Sequence, residues 1–390
     1  MTKKIMSFLL ACFLVFSLAA CGGKDGSNDQ TSTGLATGDT IKVGFIGPQT
    51  GDVAVYGLST KQGVDLAIAE VNAAGGVLGK QLELIGEDDK GDPTESVTIY
   101  NKLMSQGVSA IIGAVTSKPS DAVAANSVED GIPVITPTGT MSSITEGRDN
   151  VFRACYIDPY QGEILAAFAA ENLKVKTAAV LRNTSDDYSN GVADAFIAKA
   201  KELGIEIVGD EGYGKTDVDF AVQLTNIAKN NPELLLVPEY YEKDVLIAKQ
   251  AKELGIKAQI IGPDGWDGVL DVVDQDSLDS IEGIYFANHY SIDDESETVQ
   301  SFIGKYREKY NDDPSAFSAL GYDAVYLLKE AWEKAGSVDF KATVDALKSV
   351  ERDGVTGHLV FGENNNPIKA SSIIVIKDGK YKYYGSVMAD

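Results

Sequence analysis

Two hydroxyl-rich loops contain the residues best suited to binding a small anion. One follows the apolar run at residues 110–114 and contains Val115, Thr116 and Ser117. The other follows Val134-Ile135 and contains Thr138, Gly139 and Thr140. If both runs are strands of one parallel sheet, both loops emerge at its carboxyl edge, where α/β folds bind ligands. Free amides and hydroxyls before a helix suit a carboxylate, although such residues also serve as plain N-caps.

An acidic residue occupies the comparable place in the second half of the chain. Asp264 follows the apolar run Ile260-Ile261 within a Gly-Pro-Asp-Gly-Trp string. If that run is also a parallel strand, the carboxylate lies at the carboxyl edge of its sheet and can receive an ammonium group. The alternative is that Asp264 only stabilises its own turn, and the sequence leaves both interpretations open.

A phosphate-binding signature is also present, but its surroundings argue against a nucleotide site. Residues 209–216 satisfy the GxxxxGK[ST] pattern after a predicted strand. A phosphate loop requires its lysine, here Lys215, to open a helix whose amides face the anion. Acidic residues before and after Lys215 would repel a nucleotide. We therefore expect no nucleotide to bind at this loop.

Signatures of enzymes and metal sites are otherwise missing from the sequence. It contains no GxSxG, HExxH or CxxC motif, and its two histidines are His289 and His358. We expect both to be surface or packing residues, which leaves no obvious nucleophile, general base and orienting group. The sequence thus favours a protein that is not an enzyme and that has no metal or cofactor. Chemistry by acids such as Asp264 or Glu239 stays open.

The composition narrows the class of protein further. The chain has 390 residues, with 34 Lys and Arg against 58 Asp and Glu, and a net charge of -24. A protein this acidic repels phosphate backbones, so nucleic acid is excluded as a partner. The hydrophobic fraction of 44% supports folded cores, and the length favours two domains.

The patterning along the chain predicts alternating strands and helices. Val64, Ile68 and Val71 form one face of a helix, and Asp92-Pro93 begins another as N-cap and first helical residue. Strands separated by single helices imply parallel sheets and two α/β lobes. Asp378-Gly379 predicts a hairpin turn near the end of the chain. The predicted strands lie at residues 41–46, 81–85, 110–112, 133–135, 178–181, 205–208, 234–237, 259–261, 283–286, 358–361, 372–377 and 381–386.

The amino terminus predicts export from the cytoplasm. Lys3 and Lys4 precede an apolar run at residues 5–18, too short to span a bilayer comfortably, and this pattern is typical of a signal peptide at residues 1–20. The string Leu-Ala-Ala-Cys that ends at Cys21 is similar to the bacterial lipobox, so we expect Cys21 to be lipidated. An ordinary secretory signal with an incidental cysteine is the alternative.

The residues after the signal predict how the protein is attached. Residues 21–40 are polar and glycine-rich, which predicts a flexible tether. We therefore expect the folded part outside the cytoplasm, anchored to the outer face of the cell membrane through Cys21. Cys155 is then the remaining cysteine without a role, and we expect it to be a small buried hydrophobic residue.

Several short strings, taken in order, make the chain resemble the solute-binding proteins of ABC importers, of the leucine/isoleucine/valine-binding type. The resemblance extends over roughly residues 40–390. Their order and spacing together are specific, although no single string is decisive. The strings are Ile41-Lys42-Val43-Gly44, Gly47-Pro48-Gln49-Thr50-Gly51, Tyr56-Gly57, Asn72-Ala73-Ala74-Gly75-Gly76, Gly79-Lys80, Asp88-Asp89, Asp92-Pro93, Ile132-Pro133-Val134-Ile135-Thr136-Pro137, Asp219-Phe220, the repeated Ala-Lys-Glu-Leu-Gly and Gly262-Pro263-Asp264-Gly265.

The resemblance implies a two-lobed α/β fold of the periplasmic-binding-protein type I. Each lobe is expected to be a parallel sheet flanked by helices, and three crossovers are expected to join the lobes. The first lobe is expected at residues 41–156 and 288–362, and the second at residues 157–287 and 363–390.

The resemblance also implies which residues contact a ligand. In the family, the residues matching Thr116-Ser117 and Thr138-Gly139-Thr140 hold the α-carboxylate of the ligand and help with its amine. The acid matching Asp264 binds the α-ammonium from the other lobe, often with an aromatic residue matching Tyr240. Tyr56 and Tyr188 match positions that line the side-chain pocket. We expect Val115 and Trp266, with Tyr56, to shape an apolar pocket.

The function implied is capture of an amino acid, branched-chain or another small apolar one, between closing lobes. The ligand is expected to bias the lobes toward the closed form, which a membrane ABC permease would recognise. We expect the protein to act as a monomer. An extracellular amino-acid sensor with the same body is an alternative, and an exported hydrolase is a more distant one.

Overall fold

The computed structural model describes residues 40–388 of the chain. The predicted signal peptide at residues 1–20, the predicted lipidation site Cys21 and the predicted tether, apart from Thr40, lie outside the described residues. Among the helices that the structure describes, none combines the length and the apolar character that a membrane span needs.

A sheet of five parallel strands is built from the first part of the chain. Its strands are β1 (Thr40–Gly47), β2 (Gln81–Asp88), β3 (Ala110–Ile112), β4 (Val134–Thr136) and β5 (Val151–Arg153). They lie in the order β2-β1-β3-β4-β5. The apolar runs predicted as buried strands supply the four strands β1 to β4, whereas β5 was not predicted.

Three helices connect these strands and fix where their loops emerge. They are α1 (Ala54–Ala73), α2 (Pro93–Ser105) and α3 (Ser117–Asp130). The predicted start of α2 is confirmed, because the Asp92 side chain accepts hydrogen bonds from the amides of Thr94 and Glu95, both at 2.9 Å. These bonds satisfy two amides that a helix start otherwise leaves without a partner.

The later strands form a second sheet and a separate small hairpin. They are β6 (Thr177–Asn183), β7 (Glu206–Tyr213), β8 (Leu234–Leu236), β9 (Gln259–Gly262), β10 (Tyr285–Asn288), β11 (Glu351–Gly354), β12 (Gly357–Val360), β13 (Ser371–Lys377) and β14 (Lys380–Val387). The second sheet has the order β14-β13-β10-β9-β8-β6-β7, and β11 pairs with β12.

The second sheet is parallel except for its two last strands. β13 pairs antiparallel with both β10 and β14, whereas the other neighbouring strands of this sheet pair in parallel. The predicted hairpin joins β13 to β14, and Asp378 and Gly379 both have positive φ, 53° and 65°. Two such residues form the tight turn that joins antiparallel strands.

The remaining helices flank both sheets. They are α4 (Asp158–Glu171), α5 (Asp187–Glu202), α6 (Ala221–Lys229), α7 (Tyr241–Glu253), α8 (Val269–Val272), α9 (Leu278–Ile281), α10 (Glu297–Tyr310), α11 (Ala316–Ala335) and α12 (Phe340–Leu347). Together with the two sheets they confirm the predicted α/β fold class.

Helix α11 returns the chain to the first sheet by packing tightly on α1. A Cβ atom at Gly63 would lie 1.8 Å from the carbonyl oxygen of Ser318, and one at Gly321 would lie 2.4 Å from that of Thr60. Only glycine permits so close an approach of the two helix backbones. The chain therefore leaves the first sheet after β5, returns to it after β10, and leaves it again before β13.

The phosphate-loop string has no phosphate-loop structure. Residues 209–213 belong to β7, and the next helix, α6, begins at Ala221. Lys215 therefore does not begin a helix whose amides could face an anion.

Candidate functional site

A cavity with about 230 Å³ of empty space lies between the two sheets, among loops that follow their strands. The side chains around it leave little free space, so it suits a small solute. Its lining residues are Tyr56, Val115, Thr116, Ser117, Thr138, Thr140, Tyr188, Tyr240, Asp264, Gly265 and Phe317.

The first-sheet side of the cavity consists of neutral donors. The Thr116 side chain makes no capping bond at the start of α3, so it is not the plain N-cap that the sequence left open. The Ser117 hydroxyl lies 3.4 Å from that of Thr140 and accepts the Thr140 amide at 3.3 Å. Two hydroxyls beside the positive end of a fourteen-residue helix form an arrangement that favours an anion.

A buried guanidinium supports this donor loop from behind. Arg153, at the end of β5, is 0% exposed and donates to the carbonyl oxygens of Gly139 at 2.8 Å and Met141 at 3.0 Å. It also donates to the Thr145 hydroxyl at 3.0 Å. Burial lowers the pKa of Arg153. The groups that accept its hydrogen bonds are neutral. The positive charge of Arg153 therefore adds to the preference of this side for an anion.

The second-sheet side contains one buried carboxylate. Asp264 is 3% exposed; its Oδ1 accepts from the Tyr188 hydroxyl at 2.8 Å, and its Oδ2 lies 3.0 Å from Nε2 of His289. Its backbone amide donates to Oε1 of Gln161 at 3.0 Å. Within residues 40–388, no lysine or arginine forms an ion pair with Asp264. These contacts reach far beyond its own turn, so Asp264 does more than stabilise that turn.

Aromatic rings form the wall between the two polar sides. Tyr188 stacks on Tyr240 with centroids 4.8 Å apart, and Tyr56 stacks on Phe317 at 4.2 Å. Burial raises the pKa of Tyr56, Tyr188 and Tyr240 well above the ordinary value, so their hydroxyls stay neutral. This wall suits an apolar side chain.

The structure brings nine of the ten predicted ligand-binding residues to this cavity; the exception is Gly139. A Cβ atom at Gly139 would lie 2.6 Å from the hydroxyls of both Ser120 and Thr136, so this residue packs behind the loop. Trp266, expected to shape the pocket, is instead fully buried away from its lining and donates to the Val237 carbonyl at 2.9 Å.

Sequence reasoning missed three residues in or next to the cavity. Gly265 stood within a recognised string, but Phe317 lies on the distant helix α11 and carries no local signal. Both histidines were expected to be surface or packing residues: His289 is buried, packs on Tyr156 and also contacts Asp264, which was not foreseen, and His358 is about half exposed. The expectation for Cys155 is confirmed, because it is fully buried and burial raises its pKa to about 12.

Groups that could hold a metal ion are not found in the part of the chain that the structure describes. The cavity instead presents neutral donors and a helix start on one side, a carboxylate on the other, and an aromatic wall between them. Such a site can bind a small molecule that carries both charges.

Known proteins of matching sequence and structure place the chain in a family. Residues 40–380 match the family model described as periplasmic binding protein. The chain is 32% identical over 330 residues to the leucine-, isoleucine-, valine-, threonine- and alanine-binding protein of Pseudomonas aeruginosa, over 84% of this chain and 87% of that protein.

Solved structures agree with this match. The leucine-binding protein LivK of Thermotoga maritima has a TM-score of 0.84 and 32% identity, covering 89% of this chain and 99% of its own. The branched-chain amino acid transporter substrate-binding protein LivJ of Streptococcus pneumoniae, in complex with isoleucine, has a TM-score of 0.84 and 34% identity, covering 90% and 99%. The chain therefore belongs to the periplasmic binding protein family.

Proposed function

We propose that this protein is the extracytoplasmic solute-binding component of an ABC importer and that it binds an amino acid between two lobes. The first lobe comprises residues 41–156 and 288–362, and the second comprises residues 157–287 and 363–390. The strand membership of the two sheets supports these boundaries, since β1 to β5 precede residue 157 and β6 to β10 lie between 157 and 288.

The observation that carries the proposal is the opposition of charge preference across the cavity. The α-carboxylate of the ligand binds the Thr116-Ser117 and Thr140 side, where the helix start of α3 and its hydroxyls favour an anion. The α-ammonium binds Asp264, a buried carboxylate that pairs with no lysine or arginine in the described part of the chain. Each charge-assisted hydrogen bond contributes about 1.5–3 kcal/mol, so both poles contribute substantially to affinity.

The remaining wall favours an aliphatic side chain on the ligand. Tyr56, Tyr188, Tyr240 and Phe317 line the cavity with ring surfaces, and Val115 adds an aliphatic contact. A charged side chain would lose its water there without gaining an ionic partner. The small cavity and the names of the relatives support a branched-chain or another small apolar amino acid.

Contacts across the cavity indicate how the lobes close. The Tyr56 hydroxyl on α1 donates to the Gly265 carbonyl and accepts the Tyr241 amide at 3.2 Å. The Tyr241 hydroxyl accepts the Val55 amide at 3.2 Å. Because a ligand between the lobes adds contacts to this closed form, binding shifts the population toward it, and the permease recognises that form. The protein acts as a monomer without a cofactor.

Calorimetry on ligand-stripped protein with each of the twenty amino acids tests this function. We expect stoichiometric binding of at least one branched-chain amino acid and no consumption of it. Turnover of the added compound would instead indicate an exported enzyme. No binding by any amino acid would contradict the proposal.

The location is proposed on the sequence of the amino terminus. Residues 1–20 direct export, and a lipid on Cys21 anchors the protein to the outer face of the membrane. We expect Cys21→Ser to release the protein from the membrane fraction, whereas Cys155→Ser, which changes a buried thiol, serves as the control. Equal membrane retention of both variants would exclude the anchor.

A further inference from the structure

His289 lies where the chain leaves the second sheet, one residue after β10. Its Nε2 lies 3.0 Å from Oδ2 of Asp264, and the two side chains are 0% and 5% exposed. The imidazole stacks on the Tyr156 ring with centroids 3.9 Å apart. A histidine is thus packed against the one carboxylate to which we assign the ligand ammonium.

We propose that His289 is a positioning residue that holds the Asp264 carboxylate in place as a neutral hydrogen-bond donor, so that the full negative charge remains available to the ligand ammonium. This inference rests on the proposed function of Asp264. It concerns a residue that contacts the ligand's partner and does not itself line the cavity.

The hydrogen-bond geometry fixes which nitrogen carries the proton. An ionised carboxylate can only accept, so Nε2 must be the protonated nitrogen. Nδ1 is buried and has no hydrogen-bond partner among residues 40–388. A neutral imidazole with its proton on Nε2 satisfies the contact to Asp264 and leaves only an unpaired acceptor on the other side.

The surroundings of the ring favour this neutral form. Burial and the charge of Lys369 disfavour the charged imidazolium, whereas Asp264 favours it. The facing Tyr156 ring is uncharged. The pKa of His289 is lowered to about 4. A charged imidazolium would compensate Asp264 and so weaken its attraction for an ammonium.

The same contacts also limit the freedom of the carboxylate. Tyr188 holds Oδ1, His289 holds Oδ2, and Gln161 holds the backbone amide. A carboxylate has about four lone-pair sites, so these two side-chain bonds leave about two for the ligand. A carboxylate held this way is already oriented before the ligand arrives, which reduces the entropy lost on binding.

Substitution of His289 separates positioning from simple packing. L-leucine is titrated into the wild type, His289→Leu and His289→Gln, with His358→Gln as the matched control at the half-exposed histidine. We expect His289→Leu to weaken binding about tenfold or more, because a hydrogen bond to a charged group is lost. Glutamine can still donate to Asp264, so His289→Gln is expected to recover most of the affinity. Equal binding by folded His289→Leu and wild type, or no recovery by glutamine, would overturn the proposal.

A second readout follows the imidazole directly. The chain has two histidines, so nitrogen NMR of the rings gives two sets of signals, and His358→Gln assigns them. At about pH 6 we expect His289 to be neutral with its proton on Nε2, and we expect only its signals to shift when L-leucine is added. A protonated ring, or a proton on Nδ1, would contradict the inference.

These measurements also distinguish the two proposals. If the wild type binds none of the twenty amino acids, the proposed function fails, whereas the tautomer in the free protein still tests the bond to Asp264. If the wild type binds L-leucine and His289→Leu binds it equally well, only the inference about His289 fails.

Discussion

The two sides of the cavity favour opposite charges, and they do so in different ways. The side of the first sheet spreads its preference for an anion over several neutral donors, the start of α3 and the remote charge of Arg153. The side of the second sheet concentrates its preference for a cation in the single carboxylate of Asp264. Dispersed donors tolerate the loss of one member, whereas a single charge does not. The substitutions below test this difference.

The largest expected effect is the loss of the single carboxylate. Asp264→Ala leaves the ligand ammonium without a partner in a closed cavity, which should cost about 2–5 kcal/mol of binding free energy. Calorimetry with L-leucine measures this loss, with the exposed Asp274→Ala as control. Near-normal affinity in Asp264→Ala would show that the amine is held elsewhere and that the two sides do not differ as described.

The next largest effect concerns stability and pH. The pKa of His289 is about 4 in the folded protein and about 6.5 in an unfolded chain, so the unfolded state binds more protons between these values. Stability from this residue is present above about pH 6.5 and is lost as the pH falls to about 4, by at most roughly 3 kcal/mol.

Urea unfolding of the wild type and His289→Gln at both ends of this range measures that contribution. Asp267, whose pKa is raised to about 6, acts in the opposite direction, but it is common to both proteins. We expect the wild type to lose more stability on acidification than the variant. Parallel pH dependence of the two proteins would show that His289 is not kept neutral by the fold.

A smaller effect is expected on the side of the dispersed donors. Thr140→Val removes one hydroxyl of several, which should cost about 1.5 kcal/mol of binding free energy. Thr98→Val is the control, because its hydroxyl bonds only within α2. A loss as large as that of Asp264→Ala would mean that the anion side also depends on a single group.

The smallest effect is expected for a contact that joins the two sides without contacting either charge. Tyr56→Phe removes the hydrogen bond to the Gly265 carbonyl and should weaken L-leucine binding by about 1 kcal/mol through poorer closure. Tyr310→Phe, whose hydroxyl bonds to the Gln62 carbonyl beside the first sheet, is the control. If both variants bind equally, the Tyr56 hydroxyl does not contribute to closure.

The anion side could be predicted from the sequence because its parts are local. Thr116 and Ser117 lie within five residues of the end of β3, and Thr138 and Thr140 lie within four residues of the end of β4, so strand patterning alone brings them to one edge. On the cation side, the sequence predicted the carboxylate but not the contacts that hold it. Asp264 followed a strand, but its partners Tyr188 and His289 lie 76 and 25 residues away in sequence.

Phe317 and Arg153 could not be predicted from the sequence, for related reasons. Phe317 reaches the cavity because α11 returns to pack on α1, a close approach that depends on two glycines in different helices. Arg153 is a charged residue in a short apolar run, and nothing local shows that it donates to the carbonyl oxygens of Gly139 and Met141.

The sequence by itself determined most of the strands and helices, the parallel pairing of most strands, the hydroxyl loops and the acid, because propensity, periodicity and capping act between neighbouring residues. Tertiary structure alone decided which rings close the cavity, that Gly139 and Trp266 stay behind it, and that His289 supports Asp264. The physical reason is that sheet order and crossovers bring remote residues together, and burial then sets the protonation of the groups that meet.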